Sequence, residues 1–96
     1  MRSLTYCSFA DDDRCLGVLI LEGELLRAAA RGRADSLGLD PGGELVALPV
    51  LENDPHIPPG MFETMASNVN RLVSKDEAIV LFDAIRYGDW KQGRKN

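Results

Sequence analysis

The stretch Cys15–Leu51 constrains the fold more than any other part of this 96-residue chain. Leu16–Leu21 is apolar except for Gly17, which is the pattern of a strand covered on both faces. Glu24–Leu37 carries leucine and alanine at helical spacing, and Glu44–Leu51 is another apolar run. The stretch therefore predicts a strand, a helix, a turn and a strand, with the two strands paired in parallel through a right-handed crossover.

The end of the predicted helix carries strong local signals. Its expected buried stripe consists of Leu26, Ala30, Ala34 and Leu37. Gly38 stands where a left-handed glycine closes a helix, and Leu39 follows where an apolar residue packs back on the last turn. Asp40-Pro41-Gly42-Gly43 has the composition of a type II turn. The helix is therefore expected to end at Leu37, and the chain to turn directly into the third strand.

The order of the strands follows from their polarity. Ser3–Phe9 is rich in strand formers, and the polar cluster Asp11–Arg14 predicts a hairpin loop after it. Pro49 lacks a ladder donor, so the third strand belongs at a sheet edge. We predict a three-stranded mixed sheet in the order 1-2-3, because the first strand is too polar for the centre; the alternative order is 2-1-3. The first strand, at Leu4–Phe9, would then offer an open edge to a second copy or to another protein.

Two further helices are predicted in the second half of the chain. Asn53–Gly60 is a proline-rich loop, and Met61–Leu72 keeps the spacing of a short helix. Ser74 and Glu77 have the spacing of a capping box, which predicts a last helix that runs to about Tyr87. The expected fold class is therefore α+β, with the elements in the order ββαβαα and the helices packed on the sheet.

Length and composition are those of one ordinary globular domain. We expect residues 1–90 to form this domain and residues 91–96 to form a basic, flexible tail. The net charge of −4 argues against nonspecific binding to nucleic acid. The chain has no apolar run long enough for a bilayer, no signal-peptide layout, and two cysteines that suit reduced thiols. A cytoplasmic protein without membrane contact is expected.

The sequence contains no pattern typical of an enzyme, a cofactor site or a metal site. Asp11–Asp13 lacks the alternate-residue spacing of a calcium loop. Cys7, Cys15 and His56 lack the spacing of a zinc site. We therefore expect a non-enzymatic protein with no cofactor and no metal, whose thiols are structural and do not pair.

The alternative from another functional class is a small enzyme or ligand-binding domain. It would use Asp54, His56 or Glu63, with a pocket beside the loop Asn53–Gly60. A histidine beside a carboxylate suggests general base chemistry, but a base needs an oriented nucleophile. The chain has no nucleophile motif of that kind, so this interpretation is the weaker of the two.

Acidic and basic residues are unevenly distributed along the chain. No lysine or arginine occurs between Ala34 and Asn70, whereas the C-terminus is basic. Asp40 and Glu44 form an acidic corner, and Trp90 is of the type enriched in binding hot spots. These residues are candidate contacts for a protein partner, because polarised charge steers association.

Arg27 and Arg31 lie one turn apart on the first predicted helix. They are candidate contacts for an anion or an acidic partner, and a solvated helix face is the plainer interpretation. Nucleic-acid binding through this pair and the basic tail is a further alternative. It predicts an affinity that falls steeply with salt.

Three segments carry a resemblance to other sequences: LGVLILEG, LGLDPGGELVALPV and NRLVSKDEA. They are similar to short uncharacterised proteins of bacteria and their phages, and the similarity covers most of the chain. The resemblance implies a small accessory protein of mobile-element origin, with no assigned activity and no site residue to transfer. The expected function is therefore protein binding, in concrete form as a phage-type modulator or inhibitor of a bacterial protein complex.

Overall fold

The computed structural model describes residues 1–12, 14–39, 41–55 and 57–82. The elements there are β1 (Ser3–Asp11), β2 (Arg14–Glu22), α1 (Arg27–Ser36), β3 (Glu44–Leu51), α2 (Met61–Ala66), β4 (Leu72–Ser74) and α3 (Lys75–Phe82). The four strands form one antiparallel sheet in the order β3-β1-β2-β4. The α+β class is confirmed, but the predicted three-stranded mixed sheet in the order 1-2-3 is wrong.

β1 lies inside the sheet because its polar side chains find partners there. Thr5 is fully buried. Its hydroxyl donates to the carbonyl oxygen of Gly23 at 2.6 Å and accepts from the amide of Leu25 at 2.8 Å. A buried hydroxyl is costly only when it lacks such bonds. The polarity of β1 therefore does not exclude it from the centre, and the alternative order 2-1-3 describes the arrangement of the first three strands.

The observed strand order places the open edge of the sheet on a different strand from the one predicted. β1 pairs with β2 on one side and with β3 on the other, so the expected open edge at Leu4–Phe9 does not exist. β2 and β3 both run antiparallel to β1, hence parallel to each other, but they are not neighbours. The outer strands are β3, as the proline at position 49 predicted, and β4.

The sheet separates two apolar clusters, since alternate side chains of each strand point to opposite faces. The cluster on the side of α2 and α3 contains Leu4, Tyr6, Val18, Ile20, Val50, Met61, Phe62, Met65, Val73, Ala78 and Phe82. The cluster on the side of α1 contains Cys7, Phe9, Leu19, Leu21, Ala30, Ala34 and Leu45. Coverage of both faces explains why β2 is apolar at nearly every position.

The buried side of α1 is narrower than the sequence predicted. The helix begins at Arg27 and not at Glu24. Of the predicted buried stripe only the two alanines are fully buried, whereas Leu26 is 83% exposed and Leu37 is 38% exposed. Small side chains at the contact bring the helix close to the sheet, and the leucines at its two ends remain in solvent.

The end of α1 is built as predicted. Gly38 has a left-handed backbone, with φ of 73°. Its amide donates to the carbonyl oxygen of Asp35 at 3.0 Å, and the amide of Leu39 donates to that of Ala34 at 2.9 Å. This bond pattern is the Schellman motif. Leu39 then packs against the apolar cluster on the α1 side of the sheet.

A strand replaces the end of the predicted second helix. Met61–Leu72 has helical spacing, but α2 ends at Ala66 and Leu72 begins β4. Asn70 adopts a left-handed conformation with φ of 62°, and its amide donates to the carbonyl oxygen of Ile20 at 2.8 Å. This contact directs the chain to the free side of β2, where a short strand satisfies more of the backbone than a longer helix would.

The last described helix begins at the predicted cap. The hydroxyl of Ser74 accepts from the amide of Glu77 at 3.2 Å. The carboxylate of Glu77 bonds to Arg71, at 2.9 Å. Val73 and Ala78, on either side of this cap, are both fully buried in one cluster. α3 is thereby fixed to the end of β4.

Candidate functional site: the outer edge of β3

The backbone of β3 presents alternate amides to its outer side. The amide of Glu52, just beyond the strand, donates to the carbonyl oxygen of Arg2 at 3.1 Å. In an antiparallel pair, residues that bond to the neighbouring strand alternate with residues that do not. Even-numbered residues of β3 therefore bond to β1. The amides and carbonyls of Leu45 and Ala47 point away from it.

Two independent observations agree with this alternation. Pro49 falls among the outward-directed positions, where its missing N–H removes no bond to Thr5 opposite. On the other side of β1, the amide of Gly23 donates to the carbonyl oxygen of Ser3 at 2.9 Å. Odd-numbered residues of β1 thus form backbone hydrogen bonds to β2, and the even-numbered residues of β1 form theirs to β3.

The side chains along this edge are apolar and partly exposed. No charged residue lies between Glu44 and Glu52. Leu45 is buried beneath α1, whereas Val46 and Leu48 are half-buried on the opposite face. Within the described residues, no strand pairs with the outer side of β3. The edge therefore combines outward backbone groups with apolar side chains that are only half covered.

The first residues of β3 are held in place by an arginine of α1. The guanidinium of Arg31 donates to the carbonyl oxygen of Gly43 at 2.8 Å and lies 5.2 Å from the centre of the Phe9 ring. Gly43 has a φ of 75°, and a Cβ there would lie 2.5 Å from the carbonyl oxygen of Ala10. Arg31 is thus a structural residue, in contrast to Arg27, which is exposed.

The structure describes only some of the other predicted contact residues. Glu44 is exposed at the start of β3, near the exposed turn residues Asp11 and Asp12. Asp40 lies outside the described residues. The same holds for Trp90, for the predicted end of the last helix and for the basic tail, all of which fall in residues 83–96.

A shallow cavity lies beside the proline-rich loop. Its volume is about 280 Å³, and its lining includes Glu52, Asp54 and Glu63 around Ile57 and Phe62. His56 lies outside the described residues. The cavity thus brings together two of the three residues that the enzyme or ligand-binding interpretation requires.

Arg2 contacts two of the residues that line this cavity, Glu52 and Phe62. Its guanidinium bonds to both carboxylate oxygens of Glu22, at 2.7 and 2.9 Å, and lies 5.9 Å from the centre of the Phe62 ring. The hydrogen bond to Glu22 raises the pKa of Arg2. The amide of Arg2 also donates to the carboxylate of Glu52 at 3.3 Å. This arginine ties the ends of all three long strands together.

The two thiols lie on opposite faces of the sheet and are free, as predicted. Cys7 is fully buried, and this burial raises its pKa to about 12. Cys15 is half-buried, with its sulfur 3.9 Å from the hydroxyl oxygen of Ser8. The arrangement suits structural side chains and provides no paired thiol chemistry.

No protein-family model, curated protein or solved structure matches the chain. In the part of the chain that the structure describes, no group of His, Cys, Asp and Glu side chains is placed to hold a metal ion. No helix in that part is long and apolar enough to cross a membrane. These comparisons therefore supply no function for the chain.

Proposed function

We propose that this protein is a small, non-enzymatic protein-binding module that accepts a strand of another chain at the outer edge of β3. The outward-pointing backbone groups of Leu45 and Ala47 are the observation that supports it. Such a row is a template for strand addition, in which backbone hydrogen bonds supply affinity and alternate side chains supply specificity. The half-buried side chains of Val46 and Leu48 offer the apolar contact.

The concrete form of this proposal is a modulator or inhibitor of a bacterial protein complex. Its support is the resemblance to short proteins of bacteria and phages. The proposal places the protein in the cytoplasm, where the thiols of Cys7 and Cys15 stay reduced. Glu44 is exposed at the start of this edge. Asp40 and Trp90 also remain candidate contacts, because charge steers the approach of a partner and Trp is enriched in binding hot spots.

The test is a proline at the outer edge. Ala47→Pro removes an outward amide, while the bonds between β1 and the even-numbered residues of β3 stay intact. The chain already accepts Pro49 in the same orientation, so the variant should fold. A partner captured by the wild type and then purified should bind Ala47→Pro with an affinity lower by about tenfold or more.

The matched control is Leu51→Pro, in the same strand and with the same outward orientation but nearer its end. It should bind the partner as the wild type does. Equal binding by the wild type and Ala47→Pro would exclude the β3 edge as the binding surface. Circular dichroism and thermal melting of both variants establish that they are folded.

A second candidate function, the binding of a small ligand, is favoured by the cavity of about 280 Å³. Asp54 and Glu63 both line it, and His56 belongs to the adjoining loop. An NMR titration of His56 in the wild type and in Asp54→Asn distinguishes the two functions. A histidine pKa that falls in the variant supports a coupled site, because removal of a nearby carboxylate destabilises the imidazolium. A titration that is the same in both proteins removes this candidate.

A further inference from the structure

We infer that the strand received at the β3 edge is β3 of a second copy of this chain, so that two sheets join into one. The inference rests on the proposed function, since both use the outer side of β3, and it names the partner. It makes the protein a symmetric dimer. The two strands run antiparallel about a two-fold axis, so that each copy presents the same surface to the other.

The backbone specifies how the strands align. Val46 stands opposite Val46 of the second copy. The amides of Leu45 and Ala47 then donate to the carbonyl oxygens of Ala47 and Leu45 of the second copy, and the carbonyl oxygens of Leu45 and Ala47 accept from its amides. Pro49 lies beyond this paired segment and takes no part in it. Each outward amide of the segment thereby gains an acceptor.

The distribution of charge is compatible with a second copy in this register. Glu44 lies opposite Leu48 of the second copy, so no two carboxylates face each other. If the axis instead passed through Leu48, Glu44 would stand opposite Glu52 of the second copy. Like charges directly opposite are destabilising in an antiparallel pair. The apolar run between the two glutamates thus lets the strand pair with itself without opposing charges, and disfavours the register centred on Leu48.

Pairing of the two β3 strands buries more of the side chains at the two-fold axis. Val46 is half-buried in the single chain, on the face opposite α1. Opposite its own copy it forms a pair of β-branched side chains, of the kind that stabilises neighbouring strands. The assembly closes at two copies, because each β3 has only one outer side and the other sheet edge is the short β4.

Sedimentation equilibrium tests the dimer directly. The wild type should show a monomer–dimer equilibrium, and Ala47→Pro should raise its dissociation constant by about tenfold or more, because each chain loses a donor. Leu51→Pro, outside the paired segment, should sediment as the wild type does. A wild type that stays monomeric at the highest soluble concentration overturns the inference. A dimer that is equally stable in Ala47→Pro also overturns it.

A charge at the axis provides a second test that needs no change in the backbone. Val46→Lys places two like charges opposite each other and should dissociate the dimer, with partial recovery in high salt. The matched control is Val80→Lys on α3, where the side chain is 83% exposed and outside the interface. Equal dissociation by both lysines, or by neither, contradicts the proposed interface.

The same variants separate this inference from the proposed function. If the wild type is monomeric but Ala47→Pro weakens binding of a captured protein, the second copy is the wrong partner and the β3 edge is the right surface. If Ala47→Pro changes neither the oligomeric state nor any binding, both are wrong.

Discussion

The two edges of the sheet differ in length and in what lies beside them. β4 has three residues, Val73 within it is fully buried, and Ser74 at its end caps α3. β3 has eight residues, and its side chains at Val46 and Leu48 are half-buried. The short edge is enclosed by the helices next to it and stabilises the fold. The long edge presents backbone groups and apolar side chains, so it is the edge suited to binding.

The sequence at the ends of each strand explains the difference. β4 cannot extend backward, because Asn70 is left-handed, and it cannot extend forward, because the helix begins at once after Ser74. β3 starts after a glycine turn and runs until Glu52 without a charge or a helix cap. Protection against pairing with another strand is therefore strong at β4, and at β3 it is limited to the missing N–H of Pro49.

The largest expected effect concerns the point where β3 begins. Gly43→Ala should lower the free energy of unfolding by about 3 kcal/mol, through the left-handed backbone and the clash with the carbonyl oxygen of Ala10. Gly42→Ala is the matched control: its backbone is also left-handed, but a Cβ there meets no atom within 4 Å. It should cost about 1 kcal/mol. Equal losses in urea denaturation would mean that the start of β3 is not held against β1.

Truncation of one valine in each edge strand compares the edges directly. Val73→Ala should cost about 2 kcal/mol, because the side chain is fully buried between β2 and α3. Val46→Ala should cost about 1 kcal/mol or less in the monomer, since its side chain is half-buried. Urea denaturation of dilute protein measures both. A larger loss at Val46 would reverse the proposed roles of the two edges.

The loss of stability at alkaline pH tests whether the side chain of Cys7, in the inner strand β1, is buried. Cys7 stands opposite Ala47, and burial raises its pKa from 9.0 to about 12, so the folded state keeps a proton that the unfolded state loses. Stability that is complete below about pH 9 is therefore lost as the pH rises towards 12, by up to about 1.4 kcal/mol per pH unit.

The measurement is urea denaturation of the wild type and of Cys7→Ala on both sides of this pH. The variant should lose less stability than the wild type in alkali. Burial also raises the pKa of Tyr6, but this residue is present in both proteins and does not affect their difference. The same pH dependence in both proteins would mean that the thiol of Cys7 is not buried.

A small effect is expected at the cap that closes the β4 edge. Ser74→Ala should cost about 1 kcal/mol, because the amide of Glu77 loses its acceptor. Ser74→Asp keeps an acceptor at the same position and should restore most of this loss. Thermal melting of the three proteins measures the difference. A cost equal in both variants would show that the hydroxyl of Ser74 does not cap α3.

The features of this fold that depend on neighbouring residues could be predicted from the sequence. Gly38 and Leu39 identify the end of α1, and Ser74 identifies the start of α3, because a helix cap is a local set of hydrogen bonds. Pro49 identifies β3 as an edge strand for an equally local reason. These predictions needed no knowledge of the rest of the chain.

The strand order and β4 could not be predicted in this way. Thr5 makes β1 look too polar for the centre, and its partners Gly23 and Leu25 are distant in sequence. β4 is hard to predict because Leu72 continues the helical spacing of α2, although α2 ends at Ala66 and the left-handed Asn70 precedes the strand. The candidate site was misplaced for the same reason, since the open edge was assigned to β1. With the strands in the observed order, Pro49 identifies the open edge as that of β3. Leu45 and Ala47 alternate with the bonded residues in the same way as Pro49, so they are the other outward positions.

Residue-resolved amide hydrogen exchange in dilute protein tests the central claim most directly. If the outer side of β3 is open, the amides of Leu45 and Ala47 should exchange rapidly, whereas those of Val46 and Leu48, bonded to β1, should be strongly protected. Raising the protein concentration should then slow exchange at Leu45 and Ala47 in particular. Equal protection at all four amides in dilute protein would contradict the account.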